Sequence, residues 1–573
     1  MKKIICILAC GMLFHTGMAQ GLPKWANKAR KAVFSVITYT ADNKILNTGN
    51  GFYIDENGTA VSDYSLFKGA DHAVVITADG KELPVRYIMG ANDMYDVIKF
   101  KTVADKKIVA LTMAPTGVSK GETVYLLPYA TQKAEAGLSG TVAKVDSIGN
   151  QSLYYTLNLQ ATDKSVSCPV MNAGGEVLGL MQKSTDKDGK ESYAIGVDYA
   201  AALSISALSF NDYTLNTIGI KKGLPEDESQ ALVYLYMASS QLKAEDYLNL
   251  LNDFIGQYPQ NMEGYIRRAT YYINTGVEAD VALAEEDIKK AEEVSAKKDE
   301  AHYQIAKLIH SYVVNTEADK RQKGWDYERA LSEVNQALEA AQEPIYYQLQ
   351  GDIYFAMQKY PEAYGAYEQV NKSNLASAAS YYAAAKAKEL TEGSDKKEVI
   401  ALLDSAVSTY NQPYGQEAAP YIYERARLKL DSKMYREAVI DYNLFHDAMM
   451  GRVSAEFYLI REQAEMQCRM YQQAINDINQ AIEMDPSNAG YWAEKGGIHL
   501  RLNRLEEAIQ ALEKALTLNP DEASTYRMLG YAELQHGKKN DGLCMTYTIN
   551  RLSETAKTFR RLGEAYECAS GSS

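Results

Sequence analysis

A chain of 573 residues is too long for one hydrophobic core and implies at least two domains. Hydrophobic residues at 46% and charged residues at 23% are the proportions of an ordinary folded protein, which excludes a disordered or fibrous chain. The formal charge of -14 disfavours nucleic acid as a partner and favours solubility.

Met1 to Ala19 reads as a secretory leader. Lys2 and Lys3 precede an apolar run from Ile4 to Phe14, and Gly17-Met18-Ala19 offers a small-x-small cleavage site before Gln20. The expectation is an exported chain, periplasmic or extracellular. Ile7-Leu8-Ala9-Cys10 is the rival reading, a lipobox, but its apolar stretch would be only six residues and more apolar residues follow Cys10. No later run approaches the roughly 18 to 20 apolar residues of a spanning helix, so no membrane span is expected. Cys6 and Cys10 leave with the leader. Cys168, Cys468, Cys544 and Cys568 remain, which is no disulfide framework, although Cys544 and Cys568 stand near enough in sequence to make a pair conceivable.

From Gln20 to about Leu208 the texture is that of strands. AVFSVITYT, HAVVITADGKELPVRYIM, VIKFKT, TVYLLPY and SLYYTLNLQ alternate or run apolar at strand length. Asn57-Gly58 and Asp79-Gly80 sit where hairpin turns need positive φ. The regular spacing predicts an antiparallel barrel or sandwich.

The local words in this region, in their order, resemble a trypsin-fold serine peptidase of the HtrA type. Gly49-Asn50-Gly51-Phe52-Tyr53-Ile54 is similar to that family's opening hairpin, and Lys68-Gly69-Ala70-Asp71 to the turn after its histidine segment. Tyr95-Asp96-Val97-Ile98-Lys99-Phe100 resembles the strand that carries its aspartate. Gly175-Glu176-Val177-Leu178-Gly179-Leu180 resembles the strand after its nucleophile, and Tyr193-Ala194-Ile195-Gly196-Val197 its closing word. The resemblance implies an all-β trypsin-like double barrel over residues 20–208.

Such a peptidase needs a hydroxyl nucleophile, an imidazole to take its proton, a carboxylate to hold the imidazole, and backbone N–H groups facing the oxyanion. Read position by position, Asp96 matches the triad aspartate. Ser65 occupies the histidine position, within Val61-Ser62-Asp63-Tyr64-Ser65. Three residues before Pro169, the nucleophile position holds Val166, flanked by Ser165, Ser167 and Cys168. The paired glycines of the family's motif are Ser167 and Cys168 here, which puts the tight oxyanion backbone in doubt as well. His72 follows Asp71 at the start of a strand and reads as a surface imidazole. The domain is thus expected to be a pseudopeptidase; if active, it would be a serine-type endopeptidase, or would use Ser167 or Cys168 in an unusual role.

Ser209 to about Asp227 is the expected linker, with Gly223-Leu224-Pro225 as a breaker. From Glu228 onward the texture is helical, and the clearest stretch runs from Ala489 to Pro520. Counted from Ala489, its Trp492, Gly496, Ala508, Leu512, Ala515 and Pro520 fall at places 4, 8, 20, 24, 27 and 32 of a 34-residue unit. This resembles the tetratricopeptide repeat (TPR), a helical hairpin that must stack on copies of itself to bury its apolar face. Ala455 to Pro486 repeats the pattern with Tyr458, Ala474, Ile478, Ala481 and Pro486. Upstream units follow with Ala426, Ala438 and Tyr442; with Tyr347, Gly351, Ala363 and Tyr367; with Ala284, Ile288 and Ala291; and with Tyr247, Phe254 and Pro259. About nine units over residues 228–573 are expected, the last a frayed cap around Phe559, Leu562 and Gly563.

The predicted architecture is therefore multidomain, an all-β double barrel followed by an all-α TPR solenoid. The predicted role is an exported scaffold or adaptor that binds a protein or peptide partner through the TPR groove. Alternatives are an active peptidase with a non-standard nucleophile and a structural subunit of a cell-envelope assembly. Arg501, Arg527 and Tyr531 on the inner face of the late repeats are the candidate partner contacts. The histidines lack second ligands at metal-binding spacing and no phosphate-binding glycine loop appears, so neither metal nor cofactor is expected. The oligomeric state is left open.

Overall fold

The computed structural model describes residues 23–104, 106–129, 138–148, 152–160, 162–184 and 191–537. The leader at 1–19, Cys544, Cys568 and the expected cap beyond residue 537 lie outside these residues. The chain forms two compact units, Met1–Tyr271 and Tyr272–Ser573.

The first unit opens with two closed six-stranded barrels, the double barrel expected from the strand words. β1 (Val33–Tyr39), β2 (Ile45–Tyr53), β3 (Thr59–Ser62), β4 (His72–Ile76), β5 (Glu82–Asn92) and β6 (Val97–Thr102) close in the order β1-β2-β3-β6-β5-β4. β7 (Thr123–Leu126), β8 (Leu138–Ile148), β9 (Ser152–Asn158), β10 (Pro169–Met171), β11 (Val177–Gln182) and β12 (Ser192–Gly196) close in the order β10-β11-β12-β9-β8-β7. Period-two alternation makes this possible: Phe34, Val36 and Thr38 of β1 point inward and are fully buried. The β2–β3 and β4–β5 connections turn at Gly58 and Gly80, with φ of 90° and 79°. Asp55 fixes the first of these turns by accepting the N–H groups of Asn57 and Thr59 at 2.8 and 3.0 Å. Phe34, Tyr53, Phe67, Ile88 and Phe100 fill the first barrel. A separate cluster joins Val33, Phe52, Val61 and Val97 of the first barrel to Met171, Val177, Leu180 and Ile195 of the second, so the barrels meet through an apolar seam.

After β12 the chain returns to the first barrel. Gly219 donates to Ala70 at 2.7 Å, Gly69 donates to Thr217 at 2.9 Å, and Lys222 pairs in parallel with Ile88 of β5. Ile205, Leu215, Ile218, Ile220 and Leu224 thereby enter the first barrel's core. Tyr234, Leu235, Leu251 and Phe254 of the first helical hairpin (Glu228–Ser239 and Ala244–Gln257) belong to the same cluster. The span expected as a linker thus carries short helices and buried apolar side chains.

Beyond Tyr272 the second unit is all-helical. Helices Ala419–Asp431 and Tyr435–Ala448, Ala455–Gln467 and Tyr471–Met484, and Ala489–Arg501 and Leu505–Leu518 pair as consecutive hairpins, followed by Ala523–Gln535. This is the helix-turn-helix stacking of a TPR solenoid. The small residues set the spacing: Ala438, Ala474 and Ala508, all at place 20, are fully buried. A Cβ on Gly496 at place 8 would stand 2.5 Å from Leu512 at place 24, so glycine there is a requirement of helix approach.

Candidate functional site

Of the residues singled out in the barrel domain, Ser65 and Asp96 come together, and the loop with Ser165, Val166 and Ser167 is tied to β2 through Asn50. β3 ends at Ser62, and Asp63 precedes a short helix, Tyr64–Phe67, that carries Ser65 in its first turn. Asp96 sits just before β6 with φ of 48°, in the left-handed region. Its carboxylate accepts the Ser65 N–H at 2.7 Å and the Ser65 hydroxyl at 3.0 Å. The carboxylate therefore holds a serine where the peptidase resemblance puts an imidazole. Among the described residues of this domain the histidine is His72, which stacks on Tyr39 with ring centroids 4.9 Å apart and contacts Asp71 at 3.1 Å.

The loop before β10 carries the nucleophile position. A 3-10 turn, Asp163–Ser165, leads into Val166, and Ser167 follows with φ of 64°. The amides of this loop are turned inward. Ser165 donates to Thr162 at 2.8 Å, Val166 to Asp163 at 3.4 Å, Ser167 to Met181 at 2.8 Å and Cys168 to Ser165 at 3.1 Å. Asn50 of β2 ties the same loop down, donating at 2.9 Å to the carbonyls of both Lys164 and Val166. Oxyanion stabilisation requires N–H groups aimed at a substrate oxygen, and that of Val166, at the nucleophile position, is turned to the Asp163 carbonyl instead. Ser165 and Ser167 are buried, and Cys168 is buried within the second barrel's core beside Val124, Leu126 and Met181.

Asp63 was not singled out from the sequence, and it is the most perturbed acid of the barrel site. It is 4% exposed. Burial pushes its carboxyl up to about 8; the facing Ser167 hydroxyl offsets part of this and the Asp96 charge adds to it. The Ser167 hydroxyl leans on Asp63 outside good hydrogen-bond geometry. The acid directly follows β3, and the second barrel's loop that carries Ser167 faces it there.

In the repeats, two buried bidentate pairs tie first helix to second. Arg425 grips Asp441 at 2.6 and 2.8 Å, and Arg461 grips Asp477 at the same distances. Glu462 stands at place 8, where Gly496 stands in the next unit. It is fully buried, neither of its oxygens has a hydrogen bond, and burial pushes it up to about 8, with Glu494 adding and Arg501 opposing. Glu465 is raised likewise to about 8, first by burial and then by Asp477. Arg501, Arg527 and Tyr531 are all exposed, Tyr531 by 56%. Arg501 lies near enough to act on Glu462. Among the described residues no group of three or more His, Cys, Asp or Glu side chains could hold a metal ion, and no helix is long and apolar enough to cross a membrane.

Comparison with known proteins agrees with both modules. Residues 49–180 match the family profile of the trypsin-like peptidase domain, and residues 464–523 that of the tetratricopeptide repeat. The chain thus combines a trypsin-like peptidase domain with TPR repeats. Similar proteins include Small glutamine-rich tetratricopeptide repeat-containing protein 2 of Saccharomyces cerevisiae, 26% identical over 22% of this chain and 37% of that one. TPR repeat-containing protein MJ1428 of Methanocaldococcus jannaschii is 23% identical over 56% of this chain and 59% of its own. Sperm-associated antigen 1 of Mus musculus is 29% identical over 18% of this chain and 11% of its own. The chain spans less than two thirds of the length of each of these relatives.

Proposed function

We propose that the protein is an exported, non-catalytic adaptor whose repeats bind a protein partner, with residues 20–208 as a pseudopeptidase domain. One observation carries this reading: Asp96 is engaged by both the N–H and the hydroxyl of Ser65, so the position of the general base is filled by a group that cannot take a proton from a nucleophile near neutral pH. The amide of Val166, turned to the Asp163 carbonyl, supports it from the oxyanion side. The TPR relatives support it from the binding side, since stacked hairpins present an extended surface. Arg501, Arg527 and Tyr531 are the proposed contacts on that surface.

Export is part of the proposal and rests on the Lys2-Lys3, apolar run and Gly17-Met18-Ala19 pattern. Crosslinking in the cells that make the protein, followed by pull-down of the full chain, should recover one dominant partner. The double variant Arg501→Glu, Arg527→Glu should lose it while keeping the helical circular dichroism. Recovery of nothing specific, or equal recovery by the variant, goes against the assignment of these contacts.

A further inference from the structure

One joint between consecutive repeats differs from the next. Helices Ala419–Asp431 and Ala455–Gln467 are joined through Tyr435–Ala448 and a six-residue connection, 449–454, whereas the following joint uses four residues, 485–488. At place 27 the later units carry buried Ala481 and Ala515, and this one carries Phe445. At place 31 Met449 replaces Asp485, and at place 6 of the adjoining helix Ile460 stands where Glu494 stands one unit on. A ring in place of a methyl, with two more residues of connection, props this joint open.

The result is a cavity of about 690 Å³ walled by Tyr423, Phe445, Met449, Val453, Phe457 and Ile460. That is the size and lining of a ligand site, mostly apolar with few polar groups. The walls are held in advance of any ligand: the Tyr423 and Phe445 rings pack with centroids 5.1 Å apart, and Phe445 and Phe457 at 5.2 Å. Arg452 and Glu456 also line the cavity, are exposed, and form no ion pair among the described residues. Gln416 and Ser454 line it too, Ser454 accepting the Phe457 N–H, so the mouth offers the Arg452 donor, the Glu456 acceptor and the Gln416 amide, which is both. A ligand bearing only a carboxylate would face Glu456, and one bearing only an ammonium would face Arg452. A peptide unit satisfies both, its carbonyl accepting from Arg452 and its N–H donating to Glu456.

We propose that this opened joint binds an internal, uncharged stretch of an extended partner chain by taking one bulky aliphatic or aromatic side chain into the cavity. The assignment deepens the adaptor reading and rests on it. It adds an anchor pocket separate from Arg501, Arg527 and Tyr531.

The test uses the full chain with its methionine methyls labelled with carbon-13 and the Met449 signal assigned through Met449→Leu. Acetyl-Ala-Ala-Phe-Ala-Ala-amide should shift the Met449 methyl in a saturable way, and the peptide with alanine for phenylalanine should not. Ile460→Glu, which installs the residue the next unit carries, should weaken the phenylalanine peptide at least tenfold with the melting curve kept. Equal affinity in Ile460→Glu, no shift with phenylalanine, leucine or tryptophan peptides, or a shift produced by octanoate and free phenylalanine but not by the blocked peptide would each overturn the proposal. Peptide binding without any captured cellular partner would sink the adaptor reading alone. A captured partner without any peptide effect at Met449 would sink the pocket alone.

Discussion

The barrel site and the opened repeat joint treat free space in opposite ways. Around Asp96 the positions that a peptidase keeps open are filled: Ser65 takes the carboxylate, Asn50 pins the loop, and buried Ser167 leans on Asp63. Around Phe445 a place that the two following units fill with a methyl holds a ring, and the joint is left with a cavity. The difference teaches where to look for activity in a chain whose domain words point to chemistry. The domain that resembles an enzyme has Ser65 bonded to its Asp96 carboxylate, and the repetitive one holds a cavity at one of its seams.

The contrast can be broken or sharpened by substitution, beginning with the largest effect. Arg461→Ala leaves Asp477 buried without its bidentate partner, and should cost about 3–5 kcal/mol of second-unit stability in denaturant unfolding. Glu462→Gln should act in the other direction. With its carboxyl raised to about 8 in the fold against the ordinary 4.5 of a glutamate, the folded state binds the proton more tightly than the unfolded chain. Its ionisation is therefore no burden below about pH 4.5 and becomes a full one above about pH 8, so stability falls across that window. Glu462→Gln should flatten the fall, read from melting temperatures at a series of pH values, with Glu465 retaining part of it.

Asp63→Asn makes the same test in the barrels. Its folded value of about 8 against the ordinary 3.8 of an aspartate predicts stability lost between those limits as pH rises, and the amide should abolish that slope without harm near pH 5. Ser65→Ala is the smallest change. It removes one hydroxyl bond to Asp96 and keeps the N–H bond, so the loss should be about 0.5–1.5 kcal/mol.

Much of this architecture was legible in the sequence because it rests on local rules. The glycines of Asn57-Gly58 and Asp79-Gly80 mark turns that need positive φ, and they have it. The repeat period was legible because Gly496 must meet Leu512 and Ala508 of the next helix at fixed spacing for the two helices to approach. The rest depends on what distant segments bring. Asp63 is buried by a loop about a hundred residues further on, and nothing near it in sequence says so. Glu462 breaks the small-residue rule at place 8 inside an otherwise regular unit, and only its packed surroundings show that the carboxyl is unbonded. Residues 209–227 read as a breaker because of Gly223 and Pro225, while the parallel pairing of Lys222 with Ile88 is a long-range contact that composition does not encode.

The central claim is that the protein binds rather than cuts. The most direct measurement incubates the purified protein with unfolded casein, a fluorophosphonate and a thiol-reactive probe. The expected result is intact casein and no covalent label on Ser165, Ser167 or Cys168. Casein turnover abolished by Ser167→Ala or Cys168→Ala, with the matching label lost in the same variant, would contradict the account.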